Sequence, residues 1–262
     1  MESQRLPSRE ITVALITGLV GVGKSAVVET LGRFPEFQGD YALITSLDEI
    51  RRQYWGPLLE AMPANETGRS RRLYDVMSEE ERIFSNKLLR DTIQHAILFK
   101  GKTLVVADAL MLTRKDHQEP FLAMLTETEA LVRSGEAKRA GLAGILPPDP
   151  PSSIAFRPVL LFADFAAHAR RIRRRSTRPP DEALIPFFET TAQYEFPEVY
   201  TPLTLENSGD DPNLWRELIE SARRYILGLW SPTERIVRER LTAAKAEIAP
   251  IKEEVARRGW RQ

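Results

Sequence analysis

A glycine-rich segment near the start of the chain has the composition and spacing of a phosphate-binding loop. It reads Gly18-Leu-Val-Gly21-Val-Gly23-Lys24-Ser25, which fits the pattern G-x-x-x-x-G-K-[ST]. Phosphate oxygens need several convergent N–H donors, and glycines let the backbone approach closely enough to supply them. The lysine adds a cation for the β and γ phosphates, and the serine hydroxyl can ligate Mg²⁺. The segment therefore predicts a nucleoside triphosphate site that uses Mg²⁺, with ATP as the expected nucleotide.

The predicted nucleotide contacts follow the loop residue by residue. They are Gly18, Leu19, Val20, Gly21, Val22, Gly23, Lys24, Ser25 and Ala26. The alternative is a glycine-rich turn that contains lysine and serine by chance. An apolar run directly before the loop and an amphipathic stretch directly after it disfavour that alternative. A dinucleotide site is also disfavoured, because G-x-G-x-x-G is absent from this turn.

An aspartate and an arginine follow the second apolar run of the chain. Asp48 and Arg51 would share one face in the first turn of a helix at the carboxyl edge of the sheet. The carboxylate could accept a proton from an acceptor hydroxyl, and the arginine could hold an anionic group. The alternative is an aspartate favoured by the helix dipole beside a solvated arginine. After a phosphate loop, the pair predicts a base beside an anion clamp.

A second acid, Asp108, ends a buried apolar run, where it could hold metal-bound water or a substrate hydroxyl. With Ser25 it forms the predicted metal site. The alternative is a structural aspartate that caps the next element.

Arginines are concentrated in a short segment, at positions 170, 171, 173, 174, 175 and 178. On a closing lid they could neutralise the charge that spreads over a transferred phosphoryl group. A solvated helix face and a nucleic-acid contact are the alternatives. No aromatic residues are interleaved with the arginines, which weakens the alternative that this segment binds single-stranded nucleic acid.

The elements that must position these residues alternate regularly between apolar runs and amphipathic helices, which predicts an α/β fold with a parallel sheet. The predicted strands are 11–17, 41–46, 103–107, 158–163 and 201–205. Helix starts are predicted at Ser46 and Ser78 by capping boxes and at Asp211 by the following proline. The third of these helices should bury a stripe that begins at Leu214.

The domain organisation is read from composition. We expect one domain over 1–230, with a proline-rich insertion at 134–157 and an arginine-rich lid region at 165–195. Residues 231–262 are charged and thinly apolar, which predicts a C-terminal helical extension and a candidate oligomer contact.

Composition excludes several classes of protein. The chain has 262 residues, 37 basic and 37 acidic side chains and no cysteine, so disulfide frameworks, thiolate zinc sites and thiol catalysis are excluded. The polar first ten residues and the lack of a long apolar run predict neither a secretory leader nor a membrane span. We therefore expect a cytoplasmic protein.

Together these motifs resemble the AAA-type P-loop predicted kinases, which are related to polynucleotide 5′-kinase, zeta toxins, chloramphenicol phosphotransferase and gluconate kinase. The matching pieces are GLVGVGKS at 18–25, SLDEIRR at 46–52, KTLVVADALMLTR at 102–114, RRIRRRSTRP at 170–179 and YEFPEVYTPLTLENSGD at 194–210. The resemblance covers about 11–225 and depends on the order of the motifs.

The resemblance implies a P-loop NTPase fold, with a five-stranded parallel sheet of order 2-3-1-4-5. It also implies that Asp48 is the general base, that Arg51 faces the acceptor, and that Arg171 and Arg175 form the lid pair. The implied activity is ATP-dependent phosphoryl transfer to a hydroxyl of a small molecule or a polynucleotide. A regulatory nucleotide-binding module and an AAA-type ATP hydrolase remain the alternatives. Asp108 lacks the adjacent glutamate that motor ATPases use to activate water, which favours transfer.

Overall fold

The computed structural model describes residues 10–61, 78–108, 115–134, 153–175, 183–192, 194–196 and 200–257. The strands are β1 (Glu10–Gly18), β2 (Ala42–Ser46), β3 (Leu104–Asp108), β4 (Ser153–Phe162) and β5 (Leu203–Glu206). The α-helices are α1 (Lys24–Leu31), α2 (Leu47–Ala61), α3 (Glu79–Lys100), α4 (Lys115–Ser134), α5 (Phe165–Arg175), α6 (Ile185–Ala192), α7 (Pro212–Ile226) and α8 (Glu234–Arg257).

The five strands form one parallel sheet in the order β2-β3-β1-β4-β5. This order confirms the expectation from the family resemblance, and with the glycine-rich loop between β1 and α1 it makes the fold a P-loop NTPase fold. β1 lies at the centre, between β3 and β4. All the strands run in one direction, so their carboxyl ends and the loops that follow them lie along one edge of the sheet.

Both faces of the sheet are covered by helices. Alternate residues of β1 enter different layers: Ala14 and Ile16 pack with α1 and α7, while Val13 and Leu15 pack with α2, α3 and α4. A third apolar cluster joins α5, α6 and α8 to Leu160 of β4. Strands buried on both faces read as continuous apolar runs, which is why the sequence located them well.

Strand β4 begins earlier than the sequence predicted. Residues 153–157, which we expected in the proline-rich insertion, pair in register with residues 10–14 of β1. The Phe156 ring contacts Phe121 of α4 in a tilted arrangement and Tyr200 edge to face, so this part of the strand has its own packing partners. Prolines are rare inside strands, so the prolines just before residue 153 led to the prediction of a loop at this position. Residues 135–152 of the expected insertion lie outside the described part of the chain.

Two of the three predicted helix starts are confirmed in full. Ser78 and Glu81 form a reciprocal capping box, and Asp211 accepts a hydrogen bond from the Asn213 amide at the start of α7. Ser46 caps α2 through the Glu49 amide, although the Glu49 side chain bonds to residues of its own helix instead. The prediction that the buried stripe of α7 begins at Leu214 was wrong, because Leu214 is exposed.

The C-terminal helix is attached to the sheet domain by its apolar side. Ile248, Ile251 and Val255 of α8 are buried in the cluster that contains Phe187 of α6 and Leu160 of β4. The charged residues of α8 form ion pairs along its exposed side. The helix is therefore packed on the domain along much of its length. None of the helices in the described ranges is both long and apolar enough to cross a membrane.

Candidate phosphate-binding site

The loop between β1 and α1 has the backbone geometry that a phosphate cradle needs. Its three glycines have positive φ angles of 140°, 81° and 101° at Gly18, Gly21 and Gly23. Gly23 precedes α1 directly, so the unpaired N–H groups of the first helical turn adjoin the loop. A Cβ at Gly23 would lie 2.7 Å from Nδ2 of Asn207, so the close approach also requires glycine.

Lys24 lies over this loop. Its Nζ donates to the carbonyl oxygens of Gly18 at 3.1 Å and Leu19 at 3.2 Å. Burial lowers the pKa of Lys24, while the charges of Asp108 and Asp48 act in the opposite direction. An ammonium group bonded to carbonyl oxygens can exchange them for phosphate oxygens, which carry full charge.

Ser25 and Asp108 meet at the end of β3. The Ser25 hydroxyl donates to Oδ2 of Asp108 at 2.6 Å, and the β-sheet register sets Asp108 beside Ile16 of β1 and Ser46 of β2. Burial raises the pKa of Asp108, and Lys24 and the Ser25 hydrogen bond partly offset this. A buried carboxylate next to a hydroxyl fits Mg²⁺, which binds oxygen through few protein ligands and keeps several waters. The described residues contain no group of three or more histidine, aspartate or glutamate side chains that could hold a metal.

Asp48 and Arg51 lie together in the first turn of α2, as the sequence predicted. Oδ1 of Asp48 is 3.6 Å from Nη1 of Arg51, and the Asp48 side chain is 74% exposed whereas that of Arg51 is 8% exposed. Arg51 also donates from Nε to the Ser85 hydroxyl of α3 at 3.1 Å. Arg51 thus holds α2 to α3 and leaves the carboxylate accessible. The charge of Asp48 acts to raise the pKa values of both Lys24 and Asp108, as expected for acids and a base at the same edge of the sheet.

The arginines of α5 contact the segment that follows β5. Arg171 donates to the backbone carbonyl of Asn207, to its Oδ1 at 3.3 Å and to the Gly209 carbonyl at 3.2 Å. Arg170 pairs with Asp210 at 3.2 Å.

Of the other arginines in the predicted lid, Arg173 and Arg174 are exposed. Arg175 ends α5, and its side chain and all of Arg178 lie outside the described part of the chain. The lid pair of Arg171 and Arg175 therefore stays a prediction.

Two residues that were not predicted from the sequence lie in contact with the loop itself. His168 of α5 lies 3.0 Å from the Val20 carbonyl, and Asn207 donates to the Val22 carbonyl at 2.7 Å. Asn207 follows β5 at the carboxyl edge of the sheet, which is the signal that could have found it. His168 carried no comparable signal, because a single histidine near an arginine run has many structural uses.

Solved structures of several kinases are similar to this chain. A gluconokinase from Sinorhizobium meliloti 1021 matches with 14% identity, 86% coverage of this chain, 95% coverage of that chain and a TM-score of 0.45. A sugar kinase from Janibacter sp. HTCC2649 matches with 14% identity, 84% coverage of this chain, 95% coverage of that chain and a TM-score of 0.44. A shikimate kinase from Bacteroides thetaiotaomicron matches with 13% identity, 84% coverage of this chain, 98% coverage of that chain and a TM-score of 0.37. No protein-family model and no curated protein matches the chain.

Proposed function

We propose that the protein is an ATP-dependent phosphotransferase that moves the γ-phosphoryl group of ATP to a hydroxyl of a small-molecule or polynucleotide acceptor. One observation carries the proposal. A phosphate loop with its lysine, a hydrogen-bonded pair of the Ser25 hydroxyl and the buried Asp108 carboxylate, and the exposed carboxylate of Asp48 lie at one edge of the sheet. Nucleotide binding needs only the first of these groups, whereas transfer to an acceptor needs all of them.

The loop and the helix N-terminus account for nucleotide binding. Backbone N–H groups of residues 18–26 would surround the β and γ phosphates, and Lys24 would bond to their oxygens. Ser25 and Asp108 would hold Mg²⁺, the serine directly and the aspartate directly or through water. When bound, Mg²⁺ supplies positive charge that offsets the charge of the phosphates.

Asp48 is the group best placed to act on the acceptor. Its exposed carboxylate would accept the proton of the acceptor hydroxyl as the hydroxyl oxygen bonds to the γ-phosphorus. The bond between that phosphorus and the bridging oxygen to the β-phosphate breaks, and ADP leaves with the electron pair. Arg51 is buried against Ser85, so in this proposal it orients the Asp48 carboxylate; this role replaces the anion clamp expected from the sequence.

Incubation with ATP labelled at the γ position tests the proposal. The acceptors are a panel of sugars, nucleosides and hydroxyl-bearing antibiotics, together with 5′-hydroxyl oligonucleotides. We expect label to appear on one acceptor class. Label only as free phosphate would identify a hydrolase, and ATP binding without turnover would identify a regulatory module; either result contradicts the proposal. Label on oligonucleotides alone would also support a nucleic-acid contact through the arginine-rich segment.

A further inference from the structure

Two backbone carbonyl groups of the phosphate loop are bonded by side chains from distant parts of the chain. Nδ1 of His168, on α5, lies 3.0 Å from the Val20 oxygen. Nδ2 of Asn207, directly after β5, lies 2.7 Å from the Val22 oxygen. The loop therefore has two side-chain partners that come neither from β1 nor from α1.

The chemistry of the partners determines the orientation of both side chains. A carbonyl oxygen only accepts hydrogen bonds, so Nδ1 of His168 must carry the hydrogen. Burial lowers the pKa of His168 to about 4, which keeps the ring neutral and this donor in place near neutral pH. Asn207 lies between a pure acceptor, the Val22 oxygen, and a pure donor, the Arg171 guanidinium 3.3 Å from its Oδ1. Its amide nitrogen must therefore face the loop.

These bonds orient the peptide groups of the loop. In a planar trans peptide the carbonyl and the following N–H point in opposite directions. When the Val20 oxygen is held towards His168, the Gly21 N–H points away from α5. When the Val22 oxygen is held towards Asn207, the Gly23 N–H points away from the segment after β5. Holding the carbonyl groups on the outside thus presents the N–H groups on the inside, where a phosphate would bind.

The helix behind the loop packs closely against it. A Cβ at Gly21 would lie 2.8 Å from Cγ1 of Ile172, one turn after His168 on α5. Arg171 on the same turn is bonded to Asn207 and Gly209. The turn of α5 from His168 to Ile172 therefore packs directly against the loop.

We propose that His168 and Asn207 are positioning residues that set the peptide orientations of the phosphate loop, and that Arg171 acts through Asn207. The inference rests on the proposed function only in taking phosphate as the ligand of the loop. It assigns Arg171 a role in the ligand-free protein that differs from direct contact with the transferred phosphoryl group.

The test measures binding of Mg-ATP and of inorganic tripolyphosphate by calorimetry. Asn207→Asp removes the donor to Val22 and keeps an oxygen for Arg171, and the exposed Asn213→Asp is the control with the same charge change. Asn207→Ala removes the donor without adding charge. We expect both Asn207 variants to weaken tripolyphosphate binding by about tenfold to a hundredfold, by analogy with residues that orient metal ligands, while Asn213→Asp binds like the wild type.

The histidine is tested by rescue. His168→Asn offers an amide N–H near the position of Nδ1, and His168→Leu offers none. We expect the asparagine variant to keep most of the affinity and the leucine variant to lose it. Equal tripolyphosphate affinity in folded Asn207→Ala, His168→Leu and wild-type protein would overturn the inference.

Hydrogen exchange of the loop amides in the ligand-free protein gives a readout that does not depend on binding. We expect amides 19–25 to exchange faster in the Asn207 variants and in Arg171→Lys, whose single ammonium cannot reproduce the forked bonds. If the Asn207 variants do not fold, Arg171→Lys still allows the measurement. Unchanged exchange of the loop amides in Arg171→Lys would contradict the role given to Arg171. A wild-type protein that binds neither tripolyphosphate nor ATP would refute the proposed function instead, and the exchange comparison would still decide this inference.

Discussion

Asp48 differs from Asp108, the other acid of the site, in its surroundings. Asp108 is buried and bonded to Ser25, whereas the carboxylate of Asp48 is largely open to solvent and has Arg51 beside it. Burial suits Asp108 to holding a cation, since positive charge nearby favours the ionised form of a desolvated carboxylate. Exposure suits Asp48 to meeting a second substrate. The two carboxylates therefore have different roles in the proposed reaction.

Asp48→Asn should separate nucleotide binding from transfer. The amide cannot accept a proton, so we expect turnover to fall by about 10²- to 10⁴-fold, as for the loss of a general base. ATP affinity measured by calorimetry should stay close to that of the wild type. Asp91→Asn, at an exposed position on α3, is the matched control. Undiminished transfer in Asp48→Asn would remove the assignment of the base.

His168 should make the stability of the protein depend on pH in a defined window. Burial lowers its pKa to about 4 in the folded protein from the ordinary value of 6.5, so between these values the unfolded chain binds more protons. The free energy of unfolding should therefore fall as the pH decreases through this window. Relative to His168→Asn, the wild type should lose roughly 2 kcal/mol more between about pH 7 and about pH 5. Urea unfolding measures this difference.

The matched control for the pH measurement is His95→Asn, an exposed histidine on α3. Carboxyl groups contribute to both the wild type and the variants and cancel in the comparison. The same pH dependence in the wild type and His168→Asn would contradict the buried, neutral state of the imidazole.

At the scale of elements, the phosphate loop depends on the helix behind it as much as on its own glycines. β1 ends at Gly18 and α1 starts at Lys24, so the intervening residues are held in place by contacts to α5 and to the segment after β5. In the proposal made above, a loop supported in this way already has its binding geometry before its ligand arrives. Preorganisation of this kind raises affinity because less conformational entropy is lost on binding.

Gly21→Ala should disrupt this support. The added methyl group would collide with Ile172, and the φ of 81° is one that alanine rarely adopts. We expect ATP affinity to fall at least about tenfold, as the loop shifts away from its binding geometry. Gly56→Ala in α2, where a Cβ would meet an ordinary 3.5 Å contact with Arg52, is the control and should keep the wild-type ATP affinity. Wild-type ATP affinity in Gly21→Ala would show that the packing against α5 tolerates a side chain.

At the scale of the whole molecule, the C-terminal helix belongs to the same packed unit as the site. The cluster that buries Ile251 of α8 also contains Leu19 of the phosphate loop and Ile172 of α5. The cluster therefore joins the last helix to the turn of α5 that packs against the loop. An oligomer contact through α8 would have to use its exposed, charged side, because its apolar side is already covered.

Ile251→Ala should lower the free energy of unfolding by about 2 to 5 kcal/mol, as expected for a large-to-small change in a core. Ile83→Ala on α3 is the control, because Ile83 is exposed and should have an effect within about 0.5 kcal/mol. Chemical denaturation of the full chain measures both. A small effect at Ile251 would mean that α8 contributes little to the stability of the domain.

Features that depend on neighbouring residues were determined by the sequence alone. The phosphate loop, the buried strands and the capped starts of α3 and α7 all follow from short patterns, because turn geometry, strand burial and helix capping act over a few residues. The order of the sheet came from the family resemblance and not from any single pattern.

The tertiary structure decided which distant groups meet. His168 and Asn207 reach the loop from 148 and 185 residues away, and the start of β4 depends on pairing with β1 and on the packing of Phe156. Arg171 likewise bonds to a segment 36 to 38 residues further along the chain. No local pattern specifies such contacts, since they exist only once the helices have packed on the sheet and buried polar groups have had to find partners.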